Sequence, residues 1–524
     1  MKKFTLSGNE SLGIEFGSTR IKAVLINSGC EVLASGGYNW ENRLEDGVWT
    51  YHADEIITGL KSAYAELNEN VKAASGGYIK TLSGICFSAM MHGYLAFDKD
   101  DNLLVPFRTW RNTITGEAAS RLTELFDFNI PQRWSIAHLY QAILNGEEHV
   151  REIAFFTTLA GYVHYLLTGE KVLGIGDASG MFPIDSTINN YDEAMLNAFS
   201  ALPEVSRYPW DIRDILPKAL PAGVVAGRLT EDGAALLDES GTLEAGIPLC
   251  PPEGDAGTGM TATNSVTVRT GNVSAGTSIF AMVVLEKSLE KVYEEIDMVT
   301  TPSGKPVAMV HCNNCCTDLD YWVNVLYDFA KRSGSALTKP EVYDLLYNSA
   351  LEGEADCGGL VNFNYFSGEP VSHTEDGRPL FVRAHGAGFT LPNFFRAQIY
   401  STMATLKIGM KILENENVKI DKLYGHGGLF KTPVVGQRLM AGAVNAPVSV
   451  METAGEGGAW GAAVLAQYMN NSGAELEDYL SNTVFSACKS TTETPDKKDV
   501  EGFEKYMELY VKALEAEKAA YRNI

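Results

Sequence analysis

Two short turns, each a glycine followed by two hydroxyl residues, interrupt apolar runs about half a chain apart, and no other feature restricts the fold as much. In "SLGIEFGSTRIKAVLI" (11–26), Gly17-Ser18-Thr19 separates Ile14 and Phe16 from the run Ile21 to Ile26. In "GNVSAGTSIFAMVVL" (271–285), Gly276-Thr277-Ser278 separates Val273 from Ile279. Each reads as strand, tight turn, strand. Recurrence at the opening of each half reads as an internal duplication, set against the bland reading that a common turn has arisen twice. At ~100 to 200 residues per domain, a chain of 524 residues has room for two large ones.

The stretches between alternate in character. "TLSGICFSAMMHGYLAFD" (81–98) reads as strands about a loop, "GEAASRLTELFDF" (116–128) as helix, and "EIAFFTTLAGYVHYLLTG" (152–169) as one largely apolar helix ended by Gly169. Later come a long helix (394–415), a strand, glycine turn, helix and strand (420–450), a small-residue helix suited to close packing (455–469), and a charged terminal helix (499–522). Strands alternating with helices give layered α/β domains. Pro251-Pro252, just ahead of the second turn, is the expected hinge region.

Composition removes whole classes of partner. With 66 acidic against 42 basic residues and a net charge of -24, the chain carries no basic stripe for nucleic acid or an anionic membrane, so any anionic ligand must be gripped locally. The opening MKKFTLSGNE lacks the apolar core of a signal peptide, and no apolar run reaches the ~18 residues of a membrane span. The expectation is a soluble cytoplasmic protein. Its 8 cysteines are too few for a disulfide framework in so long a chain. "HCNNCC" gathers His311, Cys312, Cys315 and Cys316, but zinc commonly wants a second separated pair and none is near.

Glycine-hydroxyl turns expose backbone N–H groups without side-chain bulk, which suits close approach of phosphate oxygens; each is equally an ordinary hairpin. No Gly-x-x-x-x-Gly-Lys-Ser/Thr loop offers another phosphate grip, and "GLFKT" (428–432) lacks that spacing. In "CPPEGDAGTGM" (250–260), Asp255 lies between glycines just before the second turn. Such an aspartate is usually structural, yet phosphoryl transfer needs a base, a metal-facing carboxylate and amide donors, and Asp255 and Glu15 have the right companions for those parts.

The residues then resemble a known family. "GIEFGSTRIKAVLI", "FSAMMHG", "GDASGMFPID", "PEGDAGTG", "NVSAGTSI", "GGLFKTPVVGQ" and "GEGGAWGAAVLA" follow the order and approximate spacing of the FGGY carbohydrate kinases, most like the xylulokinase branch, across about residues 11–470. The resemblance implies an α/β fold of two duplicated actin-like, Hsp70-like (ribonuclease H-like) domains flanking a deep ATP and sugar cleft. It divides the chain into 1–258, 259–475 and a helical extension 476–524. It implies transfer of the γ-phosphoryl group of Mg-ATP to a sugar hydroxyl.

Carried over residue by residue, Gly17, Ser18, Thr19 and Lys22 match the first phosphate hairpin, and Gly276, Thr277 and Ser278 the second. Gly427, Gly428 and Lys431 match the adenosine loop, with Gln437 six residues beyond the lysine. Asp255 matches the catalytic base, and Glu15 with Asp255 the carboxylates toward Mg2+. Met91 and His92 match the sugar loop; alone, His92 reads as a satisfied loop histidine. Trp110 and Arg111 fall beside that pocket, while Asp177 and Gly180 match a pattern of structural role.

The sequence also departs from its relatives. Glu15 stands where they have Asp, and its extra methylene moves the metal-facing oxygen by ~1.5 Å. Thr113 stands where Asp is common, Arg111 is an addition, and His138 and Gln141 replace frequent Lys and Trp. Arg111 reads either as a solvated arginine or as a reader of an acid or phosphate. The expectation is therefore an ATP-dependent kinase of a ketopentose, xylulose foremost. Its rivals are the same scaffold acting on ribulose, gluconate or a polyol, and a non-catalytic actin-like sensor, which would need the hairpins but neither base nor sugar loop. The oligomeric state stays open, a homodimer included.

Overall fold

A computed structural model describes residues 3–453, 457–471 and 473–524. The chain forms two compact units that are not contiguous in sequence: Met1–Val266, Lys291–Val307 and Glu456–Ala487 make the first, and Thr267–Glu290, Ala308–Gly455 and Cys488–Ile524 the second. A division drawn in chain order at 258/259 thus meets a first unit that takes two stretches from the second half. Pro251 and Pro252 lie buried inside the first unit, not at the point where the chain leaves it.

The first unit is organised by β1 (Ser11–Phe16), β2 (Arg20–Ile26), β3 (Val32–Asn39), β4 (Gly84–Ala89) and β5 (Glu253–Gly254). β1 and β2 pair antiparallel around Gly17-Ser18-Thr19, with Glu15 opposite Lys22. β4 runs parallel to β1, Phe16 opposite Ala89, and β5 runs parallel to β4. β1 and β4 read as near-continuous apolar runs because both faces are covered. On one side lies α1 (Ala53–Ser75), whose Ile56, Leu60, Ala63, Tyr64 and Leu67 recur at helical spacing on the buried face.

Against β1 and β4 packs the helix Gly457–Tyr468, the close-packing small-residue helix the sequence suggests. Gly13 shows why small residues are needed: a Cβ there would lie 2.0 Å from the Ala459 carbonyl oxygen. Residues 454–456, at the start of the expected 455–469 segment, lie outside the described residues. The segment 152–169 is not one helix. Phe155–Thr157 is a buried strand paired with Leu95–Phe97, and the helix spans Leu159–Thr168, capped by Thr158 and closed by Gly169 at φ +75°.

The second unit repeats the plan. β6 (Thr270–Ala275) and β7 (Ile279–Val284) pair antiparallel around Gly276-Thr277-Ser278, and Lys422–His426 runs parallel to β6. Val448–Met451 continues the sheet, and Ser490–Glu493 closes its edge, so the expected helical extension 476–524 carries a strand between its first helical turns, 476–484, and its terminal helix. The terminal helix Lys497–Asn523 is anchored by Asp499, fully buried between Arg396 and Arg438.

Candidate active site

In the first unit three parallel strands end together, the place where open α/β sheets present ligand groups. β1 runs into the Gly17 turn, β4 into Met90-Met91-His92, and β5 into Asp255, the first residue of α2 (Asp255–Ala262). Two hydrogen bonds from backbone N–H groups join these ends. Met90 N–H donates to the Phe16 carbonyl at 3.1 Å, and Met91 N–H donates to Asp255 Oδ1 at 3.3 Å. His92 sits in the left-handed region at φ +68°, an uncommon state for a non-glycine residue, and Gly93 follows at φ +86°. The His92 ring is held by Gly180, whose carbonyl lies 3.1 Å from Nδ1; a Cβ on Gly180 would come within 2.7 Å of that nitrogen. This accounts for the glycine of the Asp177/Gly180 pattern.

The electrostatics centre on carboxyls. Solvent reaches Asp255 at the surface, yet protein crowds it closely, and that desolvation together with the charge of Glu15 raises its pKa to about 6, against the opposing pull of the Met91 N–H. Burial raises Glu15 too, partly offset by the N–H of Ala459 and the charge of Lys22. Ala459 N–H donates to Glu15 Oε2 at 3.1 Å, so the carboxylate takes a first-turn N–H of the helix Gly457–Tyr468. Behind Asp255 lie two fully buried carboxyls. Burial and then the charge of Asp177 raise Glu253 to about 8, while burial raises Asp177 to about 7 despite the Thr158 hydroxyl at 2.6 Å. Glu253 accepts the N–H groups of Gly176 and Asp177 at 3.2 and 3.0 Å and so ties the Asp177 segment to the strand that delivers Asp255. Sequence reasoning passed over Glu253, although it stands two residues from the base.

Trp110 and Arg111 are exposed, and the Arg111 guanidinium lies 4.0 Å from the centre of the Trp49 ring. Asn112 fixes that platform: it accepts the Trp49 N–H and donates to the Trp49 carbonyl, both at 2.8 Å. His138 and Gln141 are buried in the helix Ser135–Asn145. Neither ring nitrogen of His138 has a hydrogen-bond partner among the described residues, and burial with the charge of Arg108 lowers its pKa to about 3. Gln141 accepts the Ala118 N–H at 3.1 Å and donates to Asn145 at 3.0 Å.

In the second unit, Gly276 N–H donates to the Ser278 carbonyl, and the Gly276 carbonyl accepts the Cys316 N–H, both at 2.9 Å. Gly427 follows the parallel strand at φ +100°, and a Cβ there would lie 2.4 Å from the Ala275 carbonyl oxygen, so only glycine brings this loop against the Gly276 hairpin. Gly428 comes next, and Lys431 is exposed. Gln437 is buried; its amide donates to the Thr491 carbonyl at 2.9 Å and accepts the Thr491 hydroxyl at 3.1 Å, so both ends are spent on the edge strand. All 8 cysteines are free thiols, and among the described residues no group of three or more His, Cys, Asp or Glu stands where it would hold a metal ion.

Two hairpins of one plan, with the Asp255 carboxyl beside the first, mark a duplicated element, and comparison with known proteins says which family it belongs to. The pattern of the N-terminal domain of the FGGY family of carbohydrate kinases matches residues 11–260, and that of the C-terminal domain matches 271–469. The chain belongs to the FGGY family of carbohydrate kinases. This sugar kinase is 22% identical to a xylulose kinase of Haemophilus influenzae over 514 residues, covering 95% of this chain and 98% of the relative. Its fold is that of a gluconate kinase from Lactobacillus acidophilus (TM-score 0.79, 17% identity, 98% of this chain and 99% of the other). It also matches a ligand-bound xylulose kinase from the same organism (TM-score 0.76, 17% identity, 97% and 98%). Among the described residues no helix is long and apolar enough to cross a membrane.

Proposed function

We propose that this FGGY kinase transfers the γ-phosphoryl group of ATP to a hydroxyl of a ketopentose, xylulose foremost. The observation that carries the reading is the convergence, within one unit, of the Asp255 carboxyl, the Met91-His92 loop and the Glu15 hairpin. Asp255 accepts the proton of the attacking hydroxyl, and a pKa near 6 leaves it ionised at neutral pH while keeping it a better base than an ordinary aspartate. His92, fixed through Gly180, bonds a sugar hydroxyl, and Trp110 offers its face to the carbon skeleton. Gly17-Ser18-Thr19 with Lys22, and Gly276-Thr277-Ser278, present donors to the phosphates. Gly427, Gly428 and Lys431 serve the adenosine end.

Glu15 and Asp255 suit Mg2+, which typically takes one or two carboxylates together with substrate phosphates and not an all-protein cage. The charge of Glu15 works against ionised Asp255, so the two carboxylates stand near enough for one cation to relieve both. Mg2+ would shield phosphate charge. The similarity to xylulose kinases along nearly the whole chain supports the ketopentose. A second reading, a sugar acid as acceptor, is favoured by Arg111, a guanidinium held over Trp49 next to Trp110.

The test is ADP release with Mg-ATP across pentuloses, hexuloses, polyols and aldonates. Highest kcat/KM with a pentulose is expected. An aldonate preference that Arg111→Met abolishes would move the assignment to the second reading, and no ADP release with any acceptor would overturn both.

A further inference from the structure

The first phosphate hairpin does not stand on its own backbone. Trp40, which directly follows β3, and Tyr51, two residues before α1, lie beneath it with their rings stacked at 4.0 Å, and Phe16 meets the Trp40 ring edge-on at 5.8 Å. Both side chains are almost fully buried in the core of the first unit. Between them they take three consecutive carbonyls of the turn. Trp40 Nε1–H donates to the Gly17 oxygen at 2.7 Å, the Tyr51 hydroxyl to the Ser18 oxygen at 2.7 Å, and the Trp40 backbone N–H to the Thr19 oxygen at 3.2 Å.

The consequence follows from peptide geometry. A trans peptide is planar, with its C=O and N–H on opposite sides, and no cis peptide occurs among the described residues. Holding the Gly17 oxygen inward aims the Ser18 N–H outward, and holding the Ser18 oxygen inward does the same for the Thr19 N–H. Ser18 and Thr19 are exposed, and neither N–H bonds to any described residue. Burial pushes the Tyr51 hydroxyl above its ordinary value, so it remains a donor at neutral pH.

We infer that Trp40 and Tyr51 are positioning residues of the kinase. By clamping the carbonyls of the Gly17-Ser18-Thr19 turn from the core side, they preset its N–H groups as donors to the phosphate oxygens of ATP. The inference rests on the phosphate role proposed above for this hairpin. It explains a need the glycine alone does not meet. A Gly-Ser-Thr turn on a bare hairpin samples several peptide orientations, and each flip would turn a donor into a repelling carbonyl. A turn clamped in advance has that ordering done before the nucleotide arrives.

The experiment uses the full chain and three substitutions. Tyr51→Phe keeps the stacked ring and removes the hydroxyl that bonds Ser18, together with its contact to the Asn42 amide. Trp40→Phe removes the bond to Gly17. Tyr64→Phe, in α1 of the same core, makes the same chemical change where the hydroxyl is buried without a hydrogen-bond partner among the described residues, and serves as the control. Affinity for Mg-ATP is read by isothermal titration calorimetry, and KM for ATP and for the sugar by coupled ADP release. Tyr51→Phe is expected to weaken Mg-ATP about 5- to 10-fold, the worth of one such hydrogen bond. Its sugar KM should stay within about twofold of the parent, since the carbonyl it frees serves only the nucleotide. Trp40→Phe should move in the same direction, and Tyr64→Phe should match the parent.

A general loss of packing would weaken both substrates together, so an equal rise in both KM values, or a Tyr64→Phe effect equal to that of Tyr51→Phe, overturns the clamp. Parental ATP affinity in both Tyr51→Phe and Trp40→Phe overturns it as well. A parent protein that binds no nucleotide removes the phosphate role of the hairpin and the clamp with it, a failure seen before any variant is made.

Discussion

The two glycine hairpins share a plan and differ in what stands behind them. Behind the Gly17 turn are two aromatic residues with three donors on three carbonyls, two from side chains and one from the Trp40 main chain; behind the Gly276 turn, among the described residues, is one backbone donor, the Cys316 N–H. The residue two before the glycine differs as well, Glu15 in the first and Ser274 in the second. A duplicated element has thus been supported twice by different means. The copy beside Asp255 has charge and side-chain scaffolding, and the other depends on main chain and close glycine contact. Where support comes from side chains, a single atom can be removed to test it; where it comes from main chain, only proline or an added Cβ reaches it.

If the chemistry belongs to the first unit and the second only grips nucleotide, Asp255→Asn should lower kcat by about 100- to 10,000-fold with ATP affinity nearly intact. Steady-state kinetics with a direct binding measurement separate the two, and a variant of the second hairpin showing the same pattern would break the division. Gly427→Ala comes next. With φ at +100° and the Ala275 oxygen in the way, strain of about 1–3 kcal/mol is expected, seen as a lower melting temperature and a roughly 10- to 100-fold poorer use of ATP. The sugar KM should hold. Glu15→Gln keeps an acceptor for the Ala459 N–H but loses the charge, so about tenfold more Mg2+ should be needed for half-maximal rate. An unchanged Mg2+ dependence would remove Glu15 from the metal. The finest test is a pair at one position: Cys316→Pro deletes the N–H on Gly276 and should raise the ATP KM about tenfold, while Cys316→Ala should change it less than about twofold. Equal effects would show that the thiol, not the main chain, supports the second turn.

What could be read from the chain without its fold was local chemistry. The Gly17 and Gly276 turns, Asp255 and Met91-His92 announce themselves because small residues and a carboxyl stand within a few positions of one another. Trp40 and Tyr51 do not, because they meet the turn across 23 and 33 residues, and nothing in "GYNWENRL" or "VWTYHADE" marks an indole or a phenol as a donor to a distant carbonyl. The segment 152–169 misled for a different reason: a short buried strand such as Phe155–Thr157 is as apolar as a buried helix, and periodicity does not separate them. Gln437 sits at the family spacing, yet its amide is turned to Thr491, 54 residues on, a pairing that only the edge strand creates.

The bond between Ala459 and Glu15 spans 444 residues, and the stretch Glu456–Ala487 belongs to the unit that the first residues begin. On the ribosome, which delivers the chain from its N-terminus, β1 and its hairpin emerge before both the helix that packs on them and the N–H that holds the Glu15 carboxylate. A growing chain therefore waits through most of its synthesis with an apolar sheet face uncovered, a state open to misassociation and to chaperones. The same delay means that a prematurely terminated product lacks the helix that packs on β1 and the N–H that holds Glu15.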